Sequence, residues 1–329
     1  MLILTAEDVR KVLPMRETIE TMKQAYAALS DGRAEVPLRS RLSIPPHQGL
    51  SLFMPAYVRT LDGEALAVKI VSLFPENPQR GLAYIQAAVL VMEADSGRPV
   101  ALLEGSTLTA IRTGAGSGAA IDLLARPESK TVAIFGAGVQ GRTQLEAACT
   151  VRQIETAWVY DPHPERAASF VQEMAGRGPI PEDLRIAESP AQAIAHADII
   201  CTATTSSTPV FEDADVRPGT HISAIGAYTP EMQEVPAHTV ARARVFVDSR
   251  TATLAEAGDL LQPIRQGLFN EGHIYAELGE VVLGRKKGRQ SPEEITFFKS
   301  VGVAVQDALA AQLALQNAQR MGLGQQVLW

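Results

Sequence analysis

The chain has 329 residues, 46% apolar, 20% charged and 5% aromatic, with 25 Gly and 20 Pro, which excludes a disordered or collagen-like chain and suggests about two domains. Thirty basic against 37 acidic residues give a net charge of −7 without Lys/Arg blocks, so neither nucleic acid nor an anionic membrane is expected as a partner. The longest charge-free run, Leu42 to Val58, is broken by Pro45, Pro46, His47, Gln48 and Pro55 and falls short of the roughly 18 apolar residues of a spanning helix.

LILT followed by Thr5 and Asp8 reads as a strand and a capped helix start. A second helix is expected from near Pro14, its stripe of Met15, Ile19, Met22, Tyr26 and Leu29 ending at Asp31-Gly32; it is a packing element with no chemistry assigned. From about Pro37 to Val100, short apolar runs punctuated by Asp62-Gly63 and Ser96-Gly97 predict a mostly antiparallel sheet. Small residues and Leu from Ser106 to Leu124 predict a helix, although Gly114, Gly116 and Gly118 each weaken it by about 1 kcal/mol relative to Ala.

At Thr131 the rhythm changes to alternating βα units, with strands expected at Val132 to Phe135, Ala157 to Tyr160, Asp198 to Ala203, His221 to Ile225 and Val245 to Val247. Strands separated by crossovers of this length predict a parallel sheet with helices on both faces. A final helical pattern is expected from Phe298 to Gln319, with Val301, Val305, Leu309 and Leu313 in one stripe, returning to the first domain. The fold class is therefore α/β: a Rossmann-type domain over 119–295, inserted in a discontinuous α+β domain of 1–118 plus 296–329. A cleft between intimately joined domains is the expected place for an active site.

The sharpest local signal is TVAIFGAGVQG, a buried strand leading into Gly136, Gly138 and Gly141 in G-x-G-x-x-G spacing and then a helix. Gly136 suits the tight turn, Gly138 lets backbone approach a pyrophosphate, and Gly141 permits close packing of helix on strand. Ala137, Val139 and Gln140 complete the loop. Asp161, ending TAWVYD, can accept hydrogen bonds from an adenosine ribose and would repel a ribose phosphate, so NAD(H) is favoured. NADP(H) stays the alternative because Arg166 is near enough in sequence to pair with a phosphate. Thr204, Thr205 and Ser206 are candidates for a cofactor rim, or for simple turn residues.

Taken together, LLEGSTLTAIRTGAGSGAA, IFGAGVQGRTQLEA, SAIGAYTPEMQEV, AELGEVVLGR and FFKSVGVAVQDALAA, with PLRSRL and MPAY before them, closely resemble the ornithine cyclodeaminase and mu-crystallin family over nearly the whole chain. The resemblance implies a homodimer, a substrate-binding and dimerisation domain beside the Rossmann domain, and a nicotinamide facing the cleft. By matched position it implies that Arg39, Lys69 and Arg112 surround a substrate carboxylate, with Lys69 catalytic and Arg112 also near the cofactor. Gly226, Ser300 and Gly302 fall in blocks close to the nicotinamide. An Arg fork and a compact Lys charge suit a small carboxylate, which an acidic chain can still bind locally. Arg41 is the alternative to Arg39, and the direction in which Lys69 points from its apolar run decides its role.

The resemblance implies an NAD(P)H-dependent reductase of an α-imino acid, such as a cyclic ketimine 2-carboxylate, or an alanine dehydrogenase-type activity. An ornithine cyclodeaminase and a non-catalytic mu-crystallin-like binding protein are the alternatives. Tyr228 stands where cyclodeaminases carry an Asp, and a neutral phenol does not replace that charge. Tyr228 and Tyr84 are read as shaping the pocket. The six His show no metal-ligand spacing, so no metal is expected, and Glu277 and Glu280 are read as a solvated or packed helix face. Two distant cysteines, Cys149 and Cys201, and an N-terminus without a secretory pattern make a reduced, cytoplasmic protein the expectation.

Overall fold

The computed structural model describes residues 1–61 and 63–328; Asp62, expected in a turn with Gly63, and Trp329 lie outside the described residues. Two compact units emerge, one of residues 1–112 and 303–329, the other of residues 113–302. The boundaries differ from those expected, 118/119 and 295/296. The later one moves because the residues before Ser300 are not helical: Thr296–Lys299 is a strand of the parallel sheet, and the final helix is Ala304–Met321. Val301 therefore lies in a loop rather than in the helical stripe.

The first unit is built on a mostly antiparallel sheet. Its path runs Gln325–Gln326, Leu2–Leu4, Pro99–Glu104, Ile85–Met92, Gly63–Leu73, Gly49–Thr60 and Ala34–Glu35, with Ser40–Ile44 also pairing to Gly49–Thr60. Only the pair Leu2–Leu4 with Pro99–Glu104 is parallel among these. Thr5 caps the helix Ala6–Val12 reciprocally with Asp8, a device worth about 1 kcal/mol. The final helix packs on Gly63–Leu73, Gly49–Thr60 and the helix Met15–Ser30. Period-two alternation puts Ala65, Ala67, Lys69, Val71 and Leu73 on the buried face of their strand, so one cation sits in an otherwise apolar row.

The second unit is a wholly parallel sheet of eight strands. Their order is Leu184–Ile186, Thr156–Tyr160, Thr131–Phe135, Ile199–Thr202, His221–Ala224, Thr296–Lys299, Arg244–Val247 and Ile274–Glu277. Three of these, Leu184–Ile186, Ile274–Glu277 and Thr296–Lys299, were not among the expected strands. The first two are edge strands, partly exposed and interrupted by Arg185 and by Tyr275 and Glu277, so they lack the continuous apolar run of the central strands. The aromatic pair Phe297 and Phe298 is fully buried from both faces, a continuous apolar run that a helix pattern mimics. The helix Gly105–Leu124 contains the unit boundary, and within the second unit a Cβ at Gly114 would stand 2.5 Å from Thr143 O, so close approach there needs glycine.

Candidate active site

In the first unit, three elements bring charged groups together in the core. Lys69 comes from the middle of an antiparallel strand, Arg112 from the helix beginning at Gly105, and Asp307 from the first turn of the final helix. Lys69 Nζ lies 2.7 Å from Asp307 Oδ2, and Arg112 Nε donates to Asp307 Oδ1 at 2.9 Å. Both ends of this bridge are closed to solvent, Lys69 and Asp307 being 2% and 1% exposed. Lys69 thus points inward from its strand. Arg39 is half-buried and its charge bears on Lys69, whereas Arg41 is exposed.

Two cations share one carboxylate here, and their titration reflects it. Burial pushes the Lys69 ammonium down to about 7, helped by the Arg112 and Arg39 charges and opposed by Asp307. Burial acts on Asp307 in the opposite sense, but Arg112 and Lys69 outweigh it and hold that carboxyl below its ordinary range. Gln306 steadies the Arg fork from the adjacent position: its Oε1 accepts from Arg112 Nη1 at 3.1 Å and from Val303 N at 3.0 Å, while its Nε2 donates to Tyr26 Oη at 2.8 Å. The helix Met15–Ser30, to which sequence assigned no chemistry, therefore supports Arg112 through Tyr26.

In the second unit the expected dinucleotide residues lie along the carboxyl edge of the parallel sheet, where ligands of such sheets bind. Gly136 has φ +96°, and a Cβ on Gly141 would fall 2.1 Å from Gly136 O, so both are glycines by necessity. Nothing lies within 4 Å of the Cβ position at Gly138, and no side chain caps the helix Val139–Val151 that follows. Open space and uncapped N–H groups together fit a pyrophosphate. Val139, 67% exposed, and Gln140 stand on that first turn.

Asp161 accepts from Ala137 N at 2.9 Å and from His163 N at 3.0 Å, so it fixes the glycine loop as well as ending its strand. Arg166 is exposed on the next helix. Thr204, expected as a rim or a turn residue, donates its Oγ1 to Glu234 Oε1 at 2.9 Å. Ser206 Oγ donates to Thr208 O, and Thr205 is exposed. The Ser300 hydroxyl is likewise spent, on Asp248 Oδ2 at 2.6 Å; that oxygen also receives Val301 N and Gly302 N. Gly226 N donates to Glu234 Oε2 at 2.7 Å.

A model of the ornithine cyclodeaminase/mu-crystallin family matches residues 1–322. The chain belongs to that family. Among its relatives, the Delta(1)-pyrroline-2-carboxylate reductase of Bacillus cereus is 41% identical over 331 residues, covering 99% of each chain. The structure of the Thermococcus litoralis Delta(1)-pyrroline-2-carboxylate reductase in complex with NADH and L-proline superposes with a TM-score of 0.94 at 45% identity, over 99% of this chain and 100% of that one. An archaeal alanine dehydrogenase dimer with bound NAD gives a TM-score of 0.91 at 31% identity, over 100% and 99%.

Asp307, Gln306, Glu234 and Asp248 escaped the sequence reading of this family member, and Tyr26 was read only as a packing residue. A signal existed for the first pair: Gln306-Asp307 interrupts an Ala/Leu-rich helix, as Lys69 interrupts an apolar strand, and buried opposite charges seek each other. Glu277 and Glu280 cap a short helix: Glu280 Oε2 accepts from Glu277 N at 2.9 Å and lies 3.4 Å from Arg250 Nη2. Tyr84 is partly exposed and Tyr228 half-buried. Among the described residues, no three His, Cys, Asp or Glu side chains converge as a metal site, and no helix is long and apolar enough to cross a membrane.

Proposed function

We propose that this chain is an NADH-dependent reductase of cyclic α-imino acids, reducing Delta(1)-pyrroline-2-carboxylate to L-proline. The buried Lys69–Asp307–Arg112 cluster carries the reading, because it offers both an anchor for one carboxylate and a proton near neutral pH. Arg112, held at Nε and Nη1, keeps Nη2 for the substrate carboxylate, and Arg39 adds a second positive charge. Lys69, poised near pH 7, donates its proton to the ring nitrogen and recovers it from solvent after product release. Gly136 to Gly141, Asp161, Thr204, Thr205, Ser206, Gly226, Ser300 and Gly302 are the residues that would hold the dinucleotide. When bound, the dihydronicotinamide supplies hydride to the imine carbon. The chain's own contribution is placement, charge and one proton.

The 45% identical reductase bound to NADH and L-proline supports this choice of substrate and cofactor. The likeness to alanine dehydrogenase makes reductive amination of a 2-oxo acid the second reading. A spectrophotometric panel decides between them. It offers NADH or NADPH with Delta(1)-pyrroline-2-carboxylate and with pyruvate plus ammonia, beside NAD with ornithine. Fastest turnover is expected with the cyclic imine and NADH; faster turnover with pyruvate and ammonia, or ammonia release from ornithine, would overturn the assignment.

A homodimer belongs to the same reading. Leu38, Leu42, Ile70, Leu82, Tyr84 and Ile85 of the first unit are 38–64% exposed, an apolar set that a second copy of the chain would cover. The archaeal alanine dehydrogenase dimer supports it. Cys149 and Cys201 are free, buried thiols, which suits a reducing cytoplasm.

A further inference from the structure

Within the parallel sheet, the strands Ile199–Thr202, His221–Ala224 and Thr296–Lys299 are neighbours, and each ends in a loop at the carboxyl edge. A single fully buried side chain ties the first two loops together. Glu234 Oε1 accepts from Thr204 N at 2.6 Å and Thr204 Oγ1 at 2.9 Å, and Oε2 accepts from Gly226 N at 2.7 Å and Ala227 N at 3.0 Å. Four donors on two oxygens require the acceptor-only carboxylate.

Glu234 is in turn held from behind. Its own N–H and that of Val235 donate to Asp259 Oδ1 at 2.7 and 3.0 Å, and Asp259 Oδ2 lies 2.9 Å from Lys299 Nζ, both side chains being fully buried. Lys299 immediately precedes the third loop, Ser300 to Gly302, which Asp248 fixes with three hydrogen bonds. The carboxyl edge on this side of the glycine loop is thus one connected network.

Topology says which part of a dinucleotide this network faces. Asp161, the ribose acceptor, follows the strand on one side of Thr131–Phe135, so the pyrophosphate over Gly138 divides the ligand. The other half runs along the opposite side, over Thr204 and Gly226.

We infer that Glu234 is a positioning residue for the nicotinamide half of the cofactor, a carboxylate staple that sets the spacing of the Thr204 and Gly226 loops. The inference rests on the dinucleotide reading of the carboxyl edge. An amide at this position turns one oxygen into a donor that faces backbone N–H groups, and one loop is released.

Binding of NADH and of ADP to the protein, measured side by side by calorimetry, tests it. Glu234→Gln is expected to weaken NADH about tenfold or more while ADP, which ends at the pyrophosphate, binds as to wild type. Glu234→Asp, which keeps the charge but is too short to reach both loops, should show the same split and serves if the amide variant does not fold. Equal loss of both ligands, or unchanged NADH affinity, overturns the staple. Wild-type protein that binds neither ligand overturns the dinucleotide reading and this inference with it.

Discussion

Replacing Asp307 by Asn removes the one negative charge from a buried cluster whose other members are cations. Leaving a buried charge without its partner costs about 3–5 kcal/mol. Lys69 avoids that cost by losing its proton, and at ~1.4 kcal/mol per pH unit a penalty of about 3 kcal/mol lowers its midpoint by about two pH units. In the wild type the midpoint is near 7, set by burial and Arg112 against the pull of Asp307. The rate of NADH oxidation at saturating imine should therefore decline above about pH 7 in the wild type and from a clearly lower pH in Asp307→Asn, with activity regained on acidification. Ionisation of the imine itself is common to both proteins, so the difference between the profiles isolates Lys69. Profiles that superimpose, whatever the absolute rates, would refute the coupling of Lys69 to Asp307.

Lys69→Met should lower turnover by about 10²-fold or more with NADH binding nearly intact; a wild-type rate would remove Lys69 from the mechanism. Gly138→Ala meets no protein atom within 4 Å, so thermal stability should hold while NADH affinity drops, whereas Gly141→Ala pushes a methyl onto Gly136 O and should destabilise the fold itself. Equal effects of the two on melting temperature would contradict the packing difference, and unchanged NADH affinity in Gly138→Ala would contradict the placement of the pyrophosphate there. His221, fixed between Thr296 Oγ1 and Ser223 Oγ, is held neutral by burial first and by the Arg289 and Arg152 charges next. The unfolded chain takes up that proton as pH falls through about 6.5 while the native state does not, so stability declines with acidification. His221→Gln should flatten the decline by up to ~1.4 kcal/mol per pH unit in urea titrations, and an unchanged slope would exclude His221 as its source.

What the sequence determined by itself is local or periodic. The glycine loop, the Thr5 cap, the stripe of Met15–Ser30 and five parallel strands depend on spacings of a few residues, and those spacings survive into the fold. Lys69, Arg112 and Arg39 were singled out through the family resemblance, and the glycine loop through its own spacing. The three missed strands had no such signal: two are partly exposed edges, and Thr296–Lys299 joins neighbours that lie 75 and 52 positions earlier. The carboxylates were hidden for a related reason. Asp307 is 238 positions from Lys69 and 195 from Arg112, and Glu234 is 30 from Thr204, so neither has a spacing that marks it. Only tertiary packing decided that Lys69 turns inward, and it did so because strand alternation put it opposite the first turn of the final helix, where a buried charge is tolerable only beside its counter-charge.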